Sequence, residues 1–378
     1  MKALVTVGRT VIIHEDRFAY NAHPSITILN NGEWLVGFNH SRRWEKIIHP
    51  GNDPLYRTLL TRSSDQGMTW EDPYFTPDFD WSGVETPGLS RLNNGTVVLT
   101  QFRFAWYPLG LAKKRRAAGE PIDICLPGRD WGGWTEDFTD DDWDKSQHSW
   151  ARGYHGLYAH ISTDGGYIFE DTIKIDTSPY HIGFTRTGVI ELMDGRVAYV
   201  VAEHTSPDAG TYTYILFSST GGRSWDPPIL IAESPELDAF SEPHIAEVAP
   251  GEIYCILRTE RWGGYHLHGC RSLDGGRSWS VPEATPMFGL PGHLLVLQDG
   301  RLLCTYGRRV APFGIRACLS EDGGRTWGDE IVIRDDLSNS DLGYPTTIEY
   351  APGRLFTCYW GQEPDGVTCI QGTYVTLT

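Results

Sequence analysis

The octapeptide SLDGGRSW, residues 272–279, is the most informative segment of the chain because related octapeptides recur along it. The other copies are SSDQGMTW (63–70), STDGGYIF (162–169), SSTGGRSW (218–225) and SEDGGRTW (320–327). In such a segment the Asp can accept N–H bonds of its own turn and a Gly allows positive φ, while the final aromatic ring can fill a gap between neighbouring sheets. Five copies therefore predict a repeated structural unit.

A second repeat, interleaved with the first, consists of an apolar run, a turn that ends in Gly, and another apolar run. The turn glycines of its six copies are Gly32, Gly95, Gly195, Gly251, Gly300 and Gly353. Turns of this kind between β-rich runs are hairpin signals, and an octapeptide follows each of the first five hairpins. Each unit therefore holds two hairpins, and six units predict an all-β fold, a six-bladed β-propeller with four antiparallel strands per blade.

The sixth unit lacks the octapeptide, so its fourth strand has to come from elsewhere in the chain. We expect the N-terminal strand, about residues 2–14, to complete this last blade and close the ring. The whole chain, residues 1–378, is then a single propeller domain with one long insertion at about 105–154.

The insertion is expected to leave blade 2 between its second and third strands. It contains a basic KKRR run (113–116) and an aromatic, acidic stretch, WGGWTEDFTDDDWD (131–144). A connection this long is commonly functional, and its aromatic residues predict packing, as a lid or as a wall on which a sugar stacks. An oligomer contact or a plain surface excursion is the alternative.

The overall composition restricts the kinds of partner. The chain has 49 acidic and 32 basic side chains, which give a net charge of −17. This charge disfavours nucleic acid and anionic membranes as partners, and the sequence has no run of about 18 apolar residues that would predict a membrane helix. The N-terminus lacks the apolar block of a signal peptide, so we expect a cytoplasmic protein. The seven cysteines show no metal-ligand spacing and are expected to be free buried thiols. No cofactor or metal is predicted.

The strand count places the glycine hairpins and the octapeptides at one face of the propeller, which we call the lower face. The opposite, upper face receives the starts of the inner strands: His23, Thr86, Arg186, Glu242, Pro291 and Tyr344. The second strands end there with Asn39 and His40, Phe102 and Arg103, Ala202 and Glu203, Arg258 and Thr259, Gly307 and Arg308, and Trp360 and Gly361. Buried charges are costly unless paired, so this ring of polar residues around the axis predicts a functional site.

Octapeptides of this kind on a six-bladed propeller resemble the Asp boxes of the sialidase (neuraminidase) superfamily, also called BNR-repeat proteins, and the resemblance covers nearly the whole chain. It implies a glycosidase for a carboxylate-bearing sugar, with a Tyr nucleophile activated by a Glu and arginines that bind the carboxylate. Carried over residue by residue, Tyr344 resembles the nucleophile and Glu242 resembles its activator. Arg258 and Arg316 resemble the second and third members of the family's arginine triad.

One segment departs from the family pattern. Where the family has Arg-Ile-Pro at the start of its first blade, this chain has Ala22-His23-Pro24, so Ala22 stands in place of the first triad arginine. His23 or Arg42 is expected to substitute for it, and an acidic sugar other than sialic acid fits such a site better.

The acid/base Asp of the family lies in the connection that follows in blade 1. In this chain that connection offers no single counterpart, and Asp53 and His49 are the candidates for the role. Other expected contacts to the substrate are made by residues of the upper face: His40, Arg42, Arg103, Arg186, Glu203 and Arg308.

Two other functions use the same residues. A polysaccharide lyase or unusual glycosidase acting on uronic-acid or rhamnose-containing glycans needs a base, for which Tyr344, His23, His40 or His49 would serve. A non-catalytic glycan-binding propeller is the third possibility, supported by Ala22. A Tyr344 hydroxyl within hydrogen-bond reach of Glu242 would support covalent catalysis, whereas a Glu242 bound only to arginine would support binding.

Overall fold

Each predicted unit folds as one antiparallel sheet, and six such sheets form the blades of a propeller in the computed structural model. The structure describes residues 5–43, 53–76, 82–128, 134–180, 183–185, 187–203, 211–234, 240–259 and 264–378, with the backbone alone at 82–86 and 183–184. The predicted six-bladed all-β fold is confirmed.

The chain begins with β1 (Val5–Glu15), which belongs to the last blade. Blade 1 consists of β2 (Ala19–Ile28), β3 (Trp34–Arg42), β4 (Arg57–Ser63) and β5 (Tyr74–Phe75). The strands that follow form blade 2 and part of its insertion: β6 (Ser82–Arg91), β7 (Val97–Pro108), β8 (Ile122–Cys125), β9 (Trp134–Thr135), β10 (Trp150–Ser162) and β11 (Asp171–Lys174). Blade 3 consists of β12 (Gly183–Phe184), β13 (Ile190–Glu191), β14 (Val197–Glu203), β15 (Thr211–Ser218) and β16 (Ile229–Ser234).

The second half of the ring is more regular. Blade 4 consists of β17 (Ser241–Ala249), β18 (Glu252–Arg258), β19 (His266–Ser272) and β20 (Glu283–Phe288). Blade 5 consists of β21 (Gly292–Val296), β22 (Leu302–Arg308), β23 (Gly314–Ser320) and β24 (Ile331–Arg334). Blade 6 contains β25 (Gly343–Ala351), β26 (Arg354–Gln362) and β27 (Thr368–Leu377).

The N-terminal strand closes the ring, as predicted. β1 pairs antiparallel with β27, from Val5 opposite Leu377 to Glu15 opposite Cys369. On this strand Ile13 is buried in one apolar cluster with residues of β3 and β27. Since that cluster joins blade 6 to blade 1, the two ends of the chain meet in a single sheet and hold the first and last blades together.

The octapeptides form hydrogen-bonded turns of the kind expected from their sequence. In the copy at 272–279, Asp274 Oδ1 accepts hydrogen bonds from the backbone N–H groups of Arg277 and Ser278, both at 2.9 Å. The backbone N–H of Gly276 donates to Ser272 Oγ at 2.8 Å. Hydrogen bonds, chiefly that from the Ser278 hydroxyl, hold the pKa of Asp274 well below its usual range. These contacts stay within the turn, so they serve the fold.

The insertion has secondary structure of its own. β7 and β10 continue past blade 2 as a paired ribbon, up to Pro108 opposite Trp150. Between them lie a helix α1 (Leu109–Ala117), β8, β9 and a 3₁₀ helix (Asp140–Lys145). Its apolar residues form a small separate core that includes Ala112, Ile124 and Trp143, so this part of the chain is an ordered attachment on blade 2.

Two further expectations concern the cysteines and membrane-spanning helices. All seven cysteines are buried. In the described part of the chain, no helix combines the length and the apolar content needed to cross a bilayer.

Candidate active site

Four inner strands reach the upper face with the same register irregularity. The antiparallel register shifts in β2, β6, β17 and β25 around a residue that precedes a proline: His23, Thr86, Glu242 and Tyr344. The φ angles of His23, Glu242 and Tyr344 are +52°, +42° and +46°, in a region that costs non-glycine residues about 1–3 kcal/mol each. A β-bulge redirects the side chain at its position, and here the bulges bring three side chains from three blades together.

Tyr344, Glu242 and Arg258 form the centre of this site. The Tyr344 hydroxyl donates to Glu242 Oε1 at 2.7 Å. Arg258 Nη1 donates both to Glu242 Oε2, at 2.6 Å, and to the Tyr344 hydroxyl oxygen, at 3.0 Å. The three residues are 7%, 3% and 6% exposed. The structure thus brings together three of the residues that the sequence placed at the upper face.

This arrangement places a proton acceptor and a cation at the Tyr344 hydroxyl. The carboxylate of Glu242 can accept the phenolic proton, and the guanidinium of Arg258 is placed to stabilise the phenolate that results. In a buried setting such interactions are stronger than in water. A tyrosine with a neighbouring base is an activated nucleophile in the chemical sense.

His23 lies against the same tyrosine. Its ring contacts the Tyr344 ring edge to face, with centroids 4.5 Å apart, and lies 5.7 Å from the Trp360 ring. Its Nδ1 is 3.0 Å from the hydroxyl of Tyr56, which comes from the blade 1 connection. Tyr56 and Trp360 thus contribute to the site. The strand count reached Trp360 without assigning it a role, and Tyr56 lay outside the counted positions.

Arg309 is a second cation at the site. Its guanidinium lies 5.3 Å from the centre of the Tyr344 ring, and its Nε donates to the carbonyl of Leu342 at 3.2 Å. The preceding residue, Arg308, has its guanidinium 5.6 Å from the Phe288 ring instead. The structure therefore places Arg309, rather than the predicted Arg308, beside Tyr344.

Arg316 is engaged elsewhere in blade 5. Its Nε lies 3.3 Å from Glu330 Oε1. Its other nitrogens donate to backbone carbonyls, those of Ile315 at 3.1 Å and Pro312 at 3.3 Å, and that of Arg334. These contacts are those of an internal ion pair of the blade, and they involve neither Tyr344 nor Glu242.

Asp53 lies in the connection that supplies Tyr56. The backbone N–H of Tyr56 donates to the Asp53 carbonyl at 2.9 Å, so the two residues share one turn. The Asp53 carboxylate is buried and accepts hydrogen bonds from Arg42 Nε, at 3.0 Å, and from the backbone N–H of Leu55, at 2.8 Å. A carboxylic acid therefore lies close in sequence and space to the tyrosine that contacts His23.

The insertion reaches the same region through His148. The His148 ring is stacked between Trp134 and Trp150, at centroid distances of 5.6 and 4.9 Å. Burial lowers the pKa of His148, and the charges of Asp53 and Arg42 also act on it. The aromatic part of the insertion is thus near the candidate acid of blade 1, which fits the expectation of a wall.

Three other predicted residues lie at the upper ends of their strands with partners of their own. His40 Nδ1 is 2.9 Å from Asn21 Oδ1, and burial lowers the pKa of His40. Arg103 is fully buried and donates to Gln101 Oε1 at 2.9 Å. Glu203 is buried at the end of β14, and its charge adds to the burial that raises the pKa of Tyr180.

Two predicted residues, His49 and Arg186, lie outside the described residues, as does the side chain of Thr86. Among the residues that are described, no group of three or more His, Cys, Asp or Glu side chains is arranged to hold a metal ion.

A family model described as the BNR repeat-like domain matches residues 143–357, more than half of the chain. No curated protein sequence matches this chain.

Several solved structures share the fold. A protein from Dyadobacter fermentans, described as of unknown function, has 24% sequence identity and a TM-score of 0.80 over 99% of both chains. The NanB sialidase of Streptococcus pneumoniae has 14% identity and a TM-score of 0.68 over 97% of this chain and 70% of that one. An α-L-arabinofuranosidase of Fusarium graminearum has 12% identity and a TM-score of 0.63 over 98% of both chains. At these identities the similarity shows the fold alone.

Proposed function

Because the chain belongs to the BNR repeat-like domain family and shares its fold with glycosidases, we propose that it is a glycoside hydrolase for an acidic, carboxylate-bearing sugar. The observation that carries the proposal is the position of the Tyr344 hydroxyl, within hydrogen-bond distance of both Glu242 and Arg258. This contact supports covalent catalysis rather than binding alone.

In the first step of the proposed reaction the Tyr344 oxygen attacks the anomeric carbon while its proton moves to Glu242. The bond to the leaving group breaks, and Asp53 gives its proton to the departing oxygen. In the second step Asp53 takes a proton from water and the water oxygen attacks the same carbon. The bond between that carbon and the Tyr344 oxygen breaks, and Glu242 returns the proton to Tyr344. A neutral phenol suits an anionic substrate because a carboxylate nucleophile would repel it.

Two arginines are proposed to bind the substrate carboxylate. Arg258 and Arg309 both lie against Tyr344, and guanidinium groups bind carboxylates with paired, charge-assisted hydrogen bonds. Ala22 is fully buried where the family has the first arginine of its triad, and the His23–Tyr56 pair lies beside the proposed nucleophile. We therefore propose an acidic sugar other than sialic acid as the substrate.

Arg42 links substrate binding to the acid. Its side chain is about half exposed and holds the buried carboxylate of Asp53. Arg42 is thus placed to contact an anionic substrate beside Asp53, the proposed acid. His49 remains the second candidate for this role.

The experiment that tests the proposal is a screen of glycosides of sialic, other ulosonic and uronic acids, followed by the Tyr344→Phe variant on each substrate that reacts. We expect hydrolysis of at least one acidic glycoside, and a loss of about 10³-fold or more in kcat in the variant. Turnover that is intact in Tyr344→Phe would contradict the nucleophile assignment.

Elimination is the second candidate reaction, and the contact of His23 with Tyr344 favours it because it offers two bases side by side. A lyase product contains a carbon–carbon double bond conjugated to the carboxylate, which absorbs in the ultraviolet, whereas a hydrolase product does not. The same screen therefore separates the two reactions.

A further inference from the structure

The lower face has two equivalent junctions between blades, and they differ in one residue. Between blades 4 and 5, Glu252 accepts hydrogen bonds from Arg271, at 2.5 Å, and from Arg325, at 2.6 Å. Arg271 also donates to the carbonyl of Gly323, at 2.6 Å, and so ties blade 4 to the turn of blade 5. Arg325, the sixth residue of its octapeptide, completes this Arg–Glu–Arg group.

Blades 1 and 2 repeat the arrangement with Glu33, Arg62 and Gly165 in the corresponding positions. Arg62 Nη2 donates to the Gly165 carbonyl at 2.6 Å, and Arg62 Nη1 lies 3.5 Å from Glu33 Oε2. The sixth residue of this octapeptide is Tyr167 instead of an arginine. The second cation of the group is thus replaced by an aromatic ring.

The replacement leaves an open space. A groove of about 490 Å³ lies between blades 1 and 2 at the lower face. We call it the lower groove, and its main polar residues are Asn30, Asn31, Glu33, Arg62, Asn94 and Tyr167. It lies at the opposite end of the strands from Tyr344, so it is separate from the proposed active site.

Arg62 and Glu33 form a buried ion pair beside the lower groove. Arg62 Nη1 lies 3.5 Å from Glu33 Oε2, and both atoms are inaccessible to solvent. Arg62 is 1% exposed. Because the two charges face each other, a ligand in the groove meets no unpaired cation at this pair.

The accessible groups of the lower groove suit a sugar. The guanidinium of Arg62 lies 3.7 Å from the centre of the Tyr167 ring, yet Tyr167 remains 59% exposed, so the other face of its ring is open. An exposed aromatic face binds the apolar face of a sugar ring. The side-chain oxygens of Asn31 and Asn94 accept backbone N–H bonds, at 3.1 and 2.9 Å, which directs their NH₂ groups to serve as donors.

We propose that the lower groove is a second, non-catalytic binding site for a neutral carbohydrate. The charges of Arg62 and Glu33 offset each other, and the carboxylate of Asp164, which also lines the groove, accepts hydrogen bonds from its own turn. Neither a phosphate nor an ammonium group is therefore favoured over uncharged hydroxyls. The sugar stacks on Tyr167, and its hydroxyls accept hydrogen bonds from the NH₂ groups of Asn31 and Asn94. The site stands independently of the reaction proposed at the upper face.

The test uses the whole chain and five neutral probes: maltotriose, cellotriose, mannotriose, xylotriose and arabinotriose. Binding is measured by saturation-transfer NMR and by calorimetry for the wild-type protein and for Tyr167→Arg. This substitution recreates the residue found between blades 4 and 5, so the variant is expected to fold. We expect at least one probe to bind the wild-type protein, and at least tenfold weaker binding to Tyr167→Arg.

Two control variants complete the experiment. Ile168→Ala changes an exposed side chain next to Tyr167 and should leave binding unchanged, as should Arg309→Met at the upper face. Binding of none of the five probes, equal binding to Tyr167→Arg, or loss of binding in Arg309→Met would overturn the proposal. Equal binding of trigalacturonic acid would overturn its neutral class.

Discussion

Tyr344, Glu242 and Arg258 act as one unit because each is bonded to the other two and all are nearly buried. Removal of one partner from such a group leaves a buried charge without its counterpart, which costs about 3–5 kcal/mol. Loss of activity in a variant of this group therefore has to be separated from loss of stability, and blade 5 offers a matched pair for that purpose.

The Glu242→Gln variant keeps an oxygen that can accept from Tyr344 but cannot take up its proton. We expect kcat on an acidic substrate to fall by about 10²–10⁴-fold, the usual contribution of a general base. The free energy of unfolding should also fall, because Arg258 loses a charged partner. The rate is measured at a temperature at which circular dichroism shows the variant to be folded.

The matched control is Glu330→Gln, which removes the carboxylate partner of Arg316. This variant should lose stability and keep its kcat, because Arg316 contacts the frame of blade 5. Equal losses of kcat in the two variants would show that the effect of Glu242 is structural.

Arg308 and Arg309 provide a second matched pair, since they are adjacent and face different aromatic rings. Arg309→Met should raise KM for the acidic substrate by about 10- to 100-fold, because a hydrogen bond to a charged group contributes about 1.5–3 kcal/mol. Arg308→Met should leave KM unchanged. Steady-state kinetics of both variants decide between the two arginines, and the reverse result would restore the sequence-based assignment.

Part of this site could be predicted from the sequence. Tyr344, Glu242 and Arg258 were found by counting along strands from the turn glycines, which works because strands within a blade have similar lengths. The same count reached Arg308 instead of Arg309, because Arg308 is the last residue of β22 and the side chain that turns to Tyr344 belongs to the residue after it. Tyr56 could not be predicted, since it comes from an irregular connection.

The inner strands also carry a sequence signal of the site, which is an X-Pro step at a backbone irregularity. His23, Glu242 and Tyr344 each precede a proline, and each adopts positive φ at a β-bulge. The residue before a proline normally avoids helical backbone angles, so a repeated X-Pro step at the same strand position is a sign of a special geometry. This signal marks the residues that meet at the axis, and it is readable without the structure.

The insertion contains the clearest pH-dependent group. Burial, assisted by the nearby charge of Asp123, raises the pKa of Glu136 to about 7, and the Tyr154 hydroxyl donates to its Oε1 at 3.2 Å. A carboxyl group with a raised pKa binds more protons in the folded state than in the unfolded state. Its contribution to stability is therefore present at low pH and is lost as pH rises from about 4.5 through about 7.

We expect the Glu136→Gln variant to flatten this pH dependence. Relative to the wild-type protein it should gain stability between about pH 5 and pH 8, by an amount on the order of 1–3 kcal/mol. Urea unfolding at several pH values measures the effect. Asp144→Asn, at an exposed position of the same insertion, is the control and should follow the wild-type curve. A wild-type stability that does not fall over this range would contradict the burial argument.

The architecture of the molecule was predictable because the repeats are local. Each hairpin and each octapeptide is specified by residues close in sequence, and six copies leave a ring as the arrangement that gives every blade two neighbours. Closure by β1 followed from the one missing strand. The secondary structure of the insertion, with α1 and the small core around Trp143, could not be derived, because it occurs once and has no repeat to compare.

Closure of the ring predicts unequal effects of two adjacent isoleucines in β1. Ile13 is buried at the junction of blades 6 and 1, whereas Ile12 is half exposed. Ile13→Ala should lower the free energy of unfolding by about 2–5 kcal/mol, and Ile12→Ala should change it by about 0.5 kcal/mol or less. Urea unfolding of the two variants measures the difference. Equal effects would mean that β1 does not share the cooperative unfolding of the ring.

The proposed reaction passes through a covalent bond between the sugar and the Tyr344 oxygen. A fluorinated acidic glycosyl fluoride, whose adduct hydrolyses slowly, should therefore raise the mass of the protein by one sugar unit, and peptide mass spectrometry should locate the label on Tyr344. The Tyr344→Phe variant should remain unlabelled. An adduct on another residue, or no adduct while the matching acidic glycoside is hydrolysed, would contradict the mechanism.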